Sequence, residues 1–491
     1  MTVDRSRGLR LAGLVTGRPT SELASHLDSA TVAVSVDDEM PQARLTARAL
    51  STTLRRGLGE LVLIADGLPD PFVVDLQERV AAIDPDRELK VVRGTLRLPD
   101  RAVRVHVGPV SPAASLRVVP EGFGAHVAGA QSAVIRPRRP GNPIGAVFSA
   151  SLAAAEVFKH IARVRFQRRL FHRHLRFCPA ALTDDLVGAP DLPSCLTLDF
   201  MLVGLGAIGT GIVLLLEELG VEGCIVLIDP EHFAPENVGT YSIGGAADGE
   251  VRPWKVDLAA RHLPRFDITG KTVAVDEVVR AVDAHSVPWS PAVLTALDSP
   301  SARRDAQRLW PDRLIDAQTG DTMLGFCDHR FGIDPCMMCV FPVDRTQPSG
   351  AELVARRLGL SPERFAEPNA VLSDNDLREL TEEQRARLRP LVGTPMCGLA
   401  QAAGLSDLES GDFMPSVPFV SLQAACLSVC RLLRAKQGLD VSENLVQYDA
   451  LYGPQASTRE LMKPQIGCIC SERRTSIEKV RSARRKVGRA F

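Results

Sequence analysis

No stretch of this 491-residue sequence reads as an unbroken apolar run of about twenty residues, the length a helix needs to cross a bilayer, so no membrane span is expected. Net charge is missing too: 58 basic residues stand against 59 acidic ones. That balance excludes wholesale affinity for nucleic acid or for a membrane surface and leaves such contacts to a local patch. The opening residues MTVDRSRGLR are not followed by the apolar core of a signal peptide, and a cytoplasmic protein is expected. Cysteine, at eleven residues, is too sparse for a disulfide scaffold of this length but plentiful for a reducing compartment. Some of it is expected to ligate metal or to carry chemistry.

The length points to about two or three domains. Residues 1–165 alternate strand-like and helix-like segments, among them ATVAVSV, ARLTARALSTTLRRG, ELVLIAD, FVVDLQERVAAI and LKVVRG. This is the pattern of a doubly wound α/β domain. The segment after its first strand, DDEMPQAR, lacks the glycines that a phosphate needs, so this half has the fold without the site. Residues 166–197 read as a basic helix and linker: RVRFQRRLFHRHLRF has interleaved apolar residues that suit a solvated helix with one packed face. A second α/β domain is expected over 198–475, with a polar helical insertion at 344–394. Residues 476–491 form a basic tail without a clear apolar face, for which partial disorder is expected. GNPIGAVFSASLAAAEVFKHI and MPSVPFVSLQAACLSVCRLL are both small-residue apolar helices, and each closes its own half. They hint at a duplicated fold.

The clearest motif is LVGLGAIGTGIVLLLEELGVEGCIVLID, residues 202–229: a buried strand, Gly204, Gly206 and Gly209, a helix, a second strand and a terminal Asp229. Gly204 and Gly206 allow a tight turn and close approach of backbone to phosphate, and Gly209 allows close helix–strand packing. The helix N-terminus offers free N–H groups. Asp229, about twenty residues beyond Gly209, is placed to accept hydrogen bonds from ribose hydroxyls. A lone G-x-G-x-x-G is often only a turn. Strand, glycines, helix, second strand and acid together point to a nucleotide, and the motif alone leaves nicotinamide and ATP open.

Beyond Asp229 come DPEHFAPENVGTYSIGGAADGEVRPWKVDLAARHL, LTALDSPSARRDAQRLW, DPCMMCVFP, TPMCGLAQAAG and IGCIC. In this order, over roughly 198–470, the chain resembles the ThiF/MoeB adenylyltransferases and the adenylation domains of ubiquitin-activating enzymes. The resemblance implies a Rossmann-like adenylation domain preceded by a degenerate, inactive α/β copy. It implies Asp229 as ribose ligand, Glu231 at the second acid, Asn237 at the family asparagine and Lys255 as the phosphate-neutralising lysine. Asp298 falls at the acid that holds Mg2+ and Arg303 at the arginine trailing it. A metal and cations offset the charge that develops when a carboxylate is adenylated. One departure stands out: Thr240 occupies the place of a family arginine and Tyr241 that of a glutamine. DRSRGLRLAG resembles the family's D-R-Q-L-R-L-x-G opening, which implies that Arg7 or Arg10 reaches into the site from the first half.

Cys336 and Cys339 form a C-x-x-C, and Cys468 and Cys470 a C-x-C. Two thiolate pairs far apart in sequence suit a closed tetrahedral Zn2+ site, whereas a single pair would also suit redox chemistry. Cys397, in TPMCGLAQ, resembles the cysteine of ubiquitin-activating enzymes that forms a thioester; the plain alternative is a buried thiol. Cys426 and Cys430 read as core, and Cys327 with His329 make no metal site by themselves. The resemblance implies ATP-dependent activation of a ubiquitin-like protein ending in glycine, followed by a thioester and a conjugating enzyme, with a homodimer as a further expectation. Adenylation without a thioester, in sulfur-carrier, peptide or tRNA modification, and a nucleotide-binding scaffold that has lost catalysis are the other readings.

Overall fold

Short apolar strands with β-branched residues form the centres of two sheets. The computed structural model describes residues 3–94, 98–111, 113–130, 132–164, 171–172, 174–193, 195–342, 350–367, 369–396, 399, 403, 417–439 and 441–488. The first sheet holds β1 (Thr31–Val36), β2 (Glu60–Ile64), β3 (Leu89–Val92), β4 (Val103–Val107), β5 (Leu116–Glu121), β6 (Gly124–Gly129) and β7 (His174–Phe177), in the order β3-β2-β1-β4-β5-β6-β7. The second holds β8 (Phe200–Val203), β9 (Gly223–Ile228), β10 (Phe266–Lys271), β11 (Ala292–Thr295), β12 (Arg313–Gly320), β13 (Met323–Arg330), β14 (Leu445–Asp449) and β15 (Thr458–Glu460), in the order β10-β9-β8-β11-β12-β13-β14-β15.

The two sheets share one topology. In each, the first five strands pair parallel and the sixth pairs antiparallel with both the fifth and the seventh, so β1 to β7 correspond to β8 to β14 one by one. The helices repeat as well. Ala43–Arg55 follows β1 as Ala207–Leu219 follows β8, and Pro143–Ala162 and Pro418–Lys436 each occupy the connection that leads from the sixth strand to the seventh. These last two helices pack on each other, with the Phe158 and Phe419 rings 5.4 Å apart, and one apolar core runs through both units. Their alanines and serines let the backbones approach closely. Arg48 and Glu218 bridge the units at 2.9 Å.

Three expectations change. His174–Phe177 is a strand, not part of a basic helix: exposed His174, buried Leu175, half-buried Arg176 and buried Phe177 alternate with the period of a strand and pair with β6. Residues 165–170 lie outside the described set. The tail forms a helix, Arg474–Gly488, held by buried Ile477 and by arginines. Arg481 donates to the Trp310 carbonyl and lies over the Phe331 ring, and Arg484 donates to the carbonyls of Arg308 and Leu309 and pairs with Asp283. Finally, Pro143–Ala162 does reach the length and apolarity of a membrane-crossing helix, with 89 % of its apolar window buried inside the protein. Glu156, Lys159 and His160 break its run of apolar letters, which is why the sequence concealed it.

The insertion contributes the helices Gly350–Leu358, Pro362–Ala366 and Glu382–Leu388, around a small core of its own that includes Leu358, Leu372, Leu380 and Leu388.

Candidate nucleotide and zinc sites

The strand order of the second sheet reverses between β8 and β11, and the glycine loop lies where it does so. Gly204 has φ +95° and its α-carbon approaches Ala296 so closely that a Cβ would stand 2.5 Å from the Ala296 carbonyl oxygen. At Gly209 a Cβ would stand 2.1 Å from the Gly204 carbonyl. Gly206 differs. A Cβ there would meet only the Tyr241 hydroxyl, at 3.8 Å, and as N-cap of the helix Ala207–Leu219 it has no side chain to occupy the first-turn N–H groups. An uncapped helix start with open space before it, at a topological switch point, is a site for an anion.

Asp229 follows β9 and is buried, 6 % exposed. Its carboxylate accepts the N–H of Leu205 in the glycine loop at 2.6 Å and the N–H of Glu231 at 2.9 Å. Burial pushes its pKa up, while Lys255 opposes that shift. Lys255, at the start of the helix Lys255–Arg261, is buried and paired with the Glu231 carboxylate, and its ammonium lies 5.2 Å from the centre of the Tyr241 ring. Burial works against the lysine charge, but Tyr241, Asp229 and Glu231 outweigh it and hold the pKa well above that of an ordinary lysine. Burial also pushes the Tyr241 phenol up to about 12.

Asp298 lies just beyond β11. Its side chain has a face open to solvent, yet protein surrounds it closely enough that desolvation, and then Glu231, raise its pKa. Glu231 is likewise 42 % exposed at the side chain though ringed by protein. Both carboxylates therefore line a cleft rather than an outer surface, and the solvent-open face describes their access while the raised pKa of Asp298 describes its surroundings. Arg303 is turned to the frame of the cleft. It donates to the Leu297 carbonyl at 3.1 and 2.7 Å and stands 3.6 Å from the buried Asp316. Asn237 is buried, accepts the Ala234 N–H at 2.9 Å, and through its own carbonyl holds the N–H groups of Thr240 and Tyr241.

Two arginines of the first unit reach this loop. Arg7 donates to the Thr240 hydroxyl at 3.4 Å. Arg56, invisible as a site residue in the sequence, is buried and donates to the carbonyls of Val238, Ser242 and Gly244, the last two at 3.3 and 3.1 Å. Burial pulls its pKa down to about 9. Arg10 instead faces Asp321. At the place of Asp229 the first unit has Ala65, whose N–H bonds the end of β3 as that of Asp229 bonds the end of β10; Asp66, one residue on, accepts the Gly94 N–H at 2.7 Å. Asp37, Asp38 and Glu39 stand after β1 where the glycines stand after β8, which is hostile to phosphate.

The four sulfurs of Cys336, Cys339, Cys468 and Cys470 converge, all within 4.8 Å of one another, with neighbouring pairs at 3.5, 3.6 and 3.8 Å. A tetrahedral Zn2+ with Zn–S bonds of about 2.3 Å sets its sulfurs about 3.8 Å apart, so the donor set fits. They share an apolar cluster with Trp310 and Ile477 of the terminal helix. Cys426 and Cys430 are fully buried, as are Cys327 and His329. Cys397 lies outside the described residues.

The sequence model of the ThiF family matches residues 182–470, more than half of the chain. The chain belongs to the ThiF family. ThiF-family enzymes are adenylyltransferases that use ATP with Mg2+ and act on ubiquitin-like or sulfur-carrier proteins. The match covers the second unit and leaves the first outside it. No curated protein matches the chain.

Proposed function

We propose that this ThiF-family protein activates the C-terminal glycine carboxylate of a ubiquitin-like or sulfur-carrier protein and then passes it to Cys397 as a thioester for a conjugating enzyme. One observation carries the reading: Asp229 holds the glycine loop before an uncapped helix N-terminus, and the Lys255–Glu231 pair lies close to both Asp229 and Asp298. A dehydrogenase has no need of a buried lysine and two further carboxylates beside its ribose acid.

In this reading the loop of Gly204, Gly206 and Gly209 receives phosphates and Asp229 holds the ribose. Asp298, with Glu231 beside it, holds Mg2+, which neutralises phosphate charge when bound. Lys255, already kept protonated by its neighbours, places its cation against the phosphates. Asn237 holds the loop that carries Thr240 and Tyr241, while Arg303 braces the Asp298 turn through the Leu297 carbonyl. Arg7, and not Arg10, supplies from the first unit the charge that Thr240 lacks. The carboxylate oxygen of the substrate attacks the α-phosphorus, the bond to the β-phosphate breaks, and pyrophosphate leaves. The Cys397 thiolate then attacks the acyl carbon and AMP leaves. Cys336, Cys339, Cys468 and Cys470 would together hold a Zn2+ that ties the end of the chain to the core.

The first unit is read as a degenerate adenylation copy, so one chain supplies both halves of the pair. The test is ATP–pyrophosphate exchange dependent on a protein ending in a glycine carboxylate, with Asp298→Ala as the inactive control. Thr240 in place of an arginine favours a second reading, a nucleotide-binding scaffold without catalysis. Nucleotide binding with no exchange for any glycine-ended partner supports that reading instead.

A further inference from the structure

Asn369 is part of the insertion, yet its side chain holds the loop that follows β9. It stands at φ +58°, a left-handed conformation that asparagine tolerates better than most side chains. From there its carbonyl oxygen accepts the His232 N–H at 2.8 Å, and its amide nitrogen donates to the Pro230 carbonyl at 2.9 Å. Pro230 and His232 are the residues on either side of Glu231. The orientation of the carboxamide is fixed by its partners, because turning it over would set N–H against N–H and oxygen against oxygen.

The loop is held from its other side as well. Asp229 accepts the Glu231 N–H at 2.9 Å, Lys255 donates its N–H to the Glu231 carbonyl at 3.0 Å, and the His232 ring stacks on Trp254 at 3.6 Å. Asn369 closes the remaining side, from a segment whose apolar core is separate from that of the sheet.

We propose that Asn369 is a positioning residue for nucleotide binding: by clasping the backbone on both sides of Glu231, the insertion sets the carboxylate that pairs with Lys255. This rests on the reading of the cleft as a Mg-ATP site. The insertion thereby acts on the nucleotide without touching it.

The test is equilibrium binding of a non-hydrolysable ATP analogue with Mg2+ to the full chain, together with melting in the absence of nucleotide. Asn369→Gly keeps the left-handed backbone accessible and removes both hydrogen bonds; Asn369→Asp keeps the acceptor and removes the donor. Without both bonds the loop around Glu231 is expected to be in its binding position only about a tenth of the time, a local loosening that weakens binding about tenfold without global unfolding. Asn369→Gly is expected to bind about that much more weakly and Asn369→Asp to fall between it and wild type, with the unliganded melting temperature unchanged. In exchange assays KM for ATP rises while kcat holds. Asn375→Ala, an exposed position of the same insertion, binds as wild type does. Equal binding by wild type and Asn369→Gly overturns the proposal, as does a fall in unliganded melting temperature that parallels the loss of affinity. A wild type that binds no analogue overturns the nucleotide reading itself, and this inference with it.

Discussion

Arg7 places its Nη1 3.4 Å from the Oγ1 of Thr240, 233 residues further along the chain and on the other sheet unit. On the proposed reading Thr240 takes the place of a family arginine, and Arg7 brings a cation to that position from another part of the chain. Arg7→Ala is expected to lower partner-dependent ATP–pyrophosphate exchange about 100- to 1,000-fold, the usual cost of removing one group that stabilises charge developing in a transition state. Arg7→Lys keeps part of the rate. Arg10→Ala, which removes a charge near Asp321, leaves exchange near wild type. Wild-type exchange in the Arg7 variant removes the first unit from the chemistry.

The cysteine cluster ties two distant chain segments, 336–339 and 468–470, beside the terminal helix. Metal binding to thiolates is coupled to folding. One zinc per chain is expected by elemental analysis of freshly purified protein, and chelation or Cys468→Ser should lower the melting temperature and loosen the helix Arg474–Gly488 first, as read by hydrogen exchange. A well-folded protein with much less than one equivalent of zinc contradicts this.

How far the sequence could be read depends on how local each signal is. Gly204, Gly206, Gly209 and Asp229 belong to one βαβ unit, and their spacing disclosed it. The shared topology of the two units was legible only in part, through the α/β alternation of residues 1–165, two similar helices and the family-like opening, because strand order depends on pairing between residues far apart. Arg56 and Asn369 act through single hydrogen-bonding side chains on partners many residues away, and neither LRRG nor EPNA carries a local mark of that role. The terminal helix failed the search for an apolar face because arginines dock it.

His329 sits fully buried on β13, its Nδ1 3.1 Å from the carbonyl oxygens of Asp334 and Pro335, and burial lowers its pKa. A histidine whose folded pKa lies below its unfolded value near 6.5 contributes stability that is present above that value and is lost as pH falls below it. The melting temperature is therefore expected to fall through this group as pH drops from 7 toward 5. His329→Asn keeps a donor for the two carbonyls and does not titrate, so it should flatten that part of the profile. An unchanged slope in the variant assigns the acid sensitivity to other groups.

Cys397 separates the two catalytic readings. If the thiol takes over the acyl group, adenylation and transfer are successive steps at different residues, and removing the sulfur stops only the second. Pro395 and Gly398 flank the cysteine in the sequence, next to an insertion that Asn369 anchors to the loop after β9. Cys397→Ala should keep partner-dependent pyrophosphate exchange at the wild-type rate and lose a reducing-agent-sensitive adduct between enzyme and partner on a non-reducing gel. Cys397→Ser should give a more persistent oxyester, because an alkoxide is a poorer leaving group than a thiolate. A labile adduct that survives in the alanine variant moves the nucleophile to another cysteine. The fully buried Cys327, whose thiol is pushed well above the ordinary range by burial and by Asp316, is unsuited to that role in this conformation. A wild type that exchanges pyrophosphate but never forms the adduct is an adenylyltransferase alone, with the acyl adenylate itself as the species handed on.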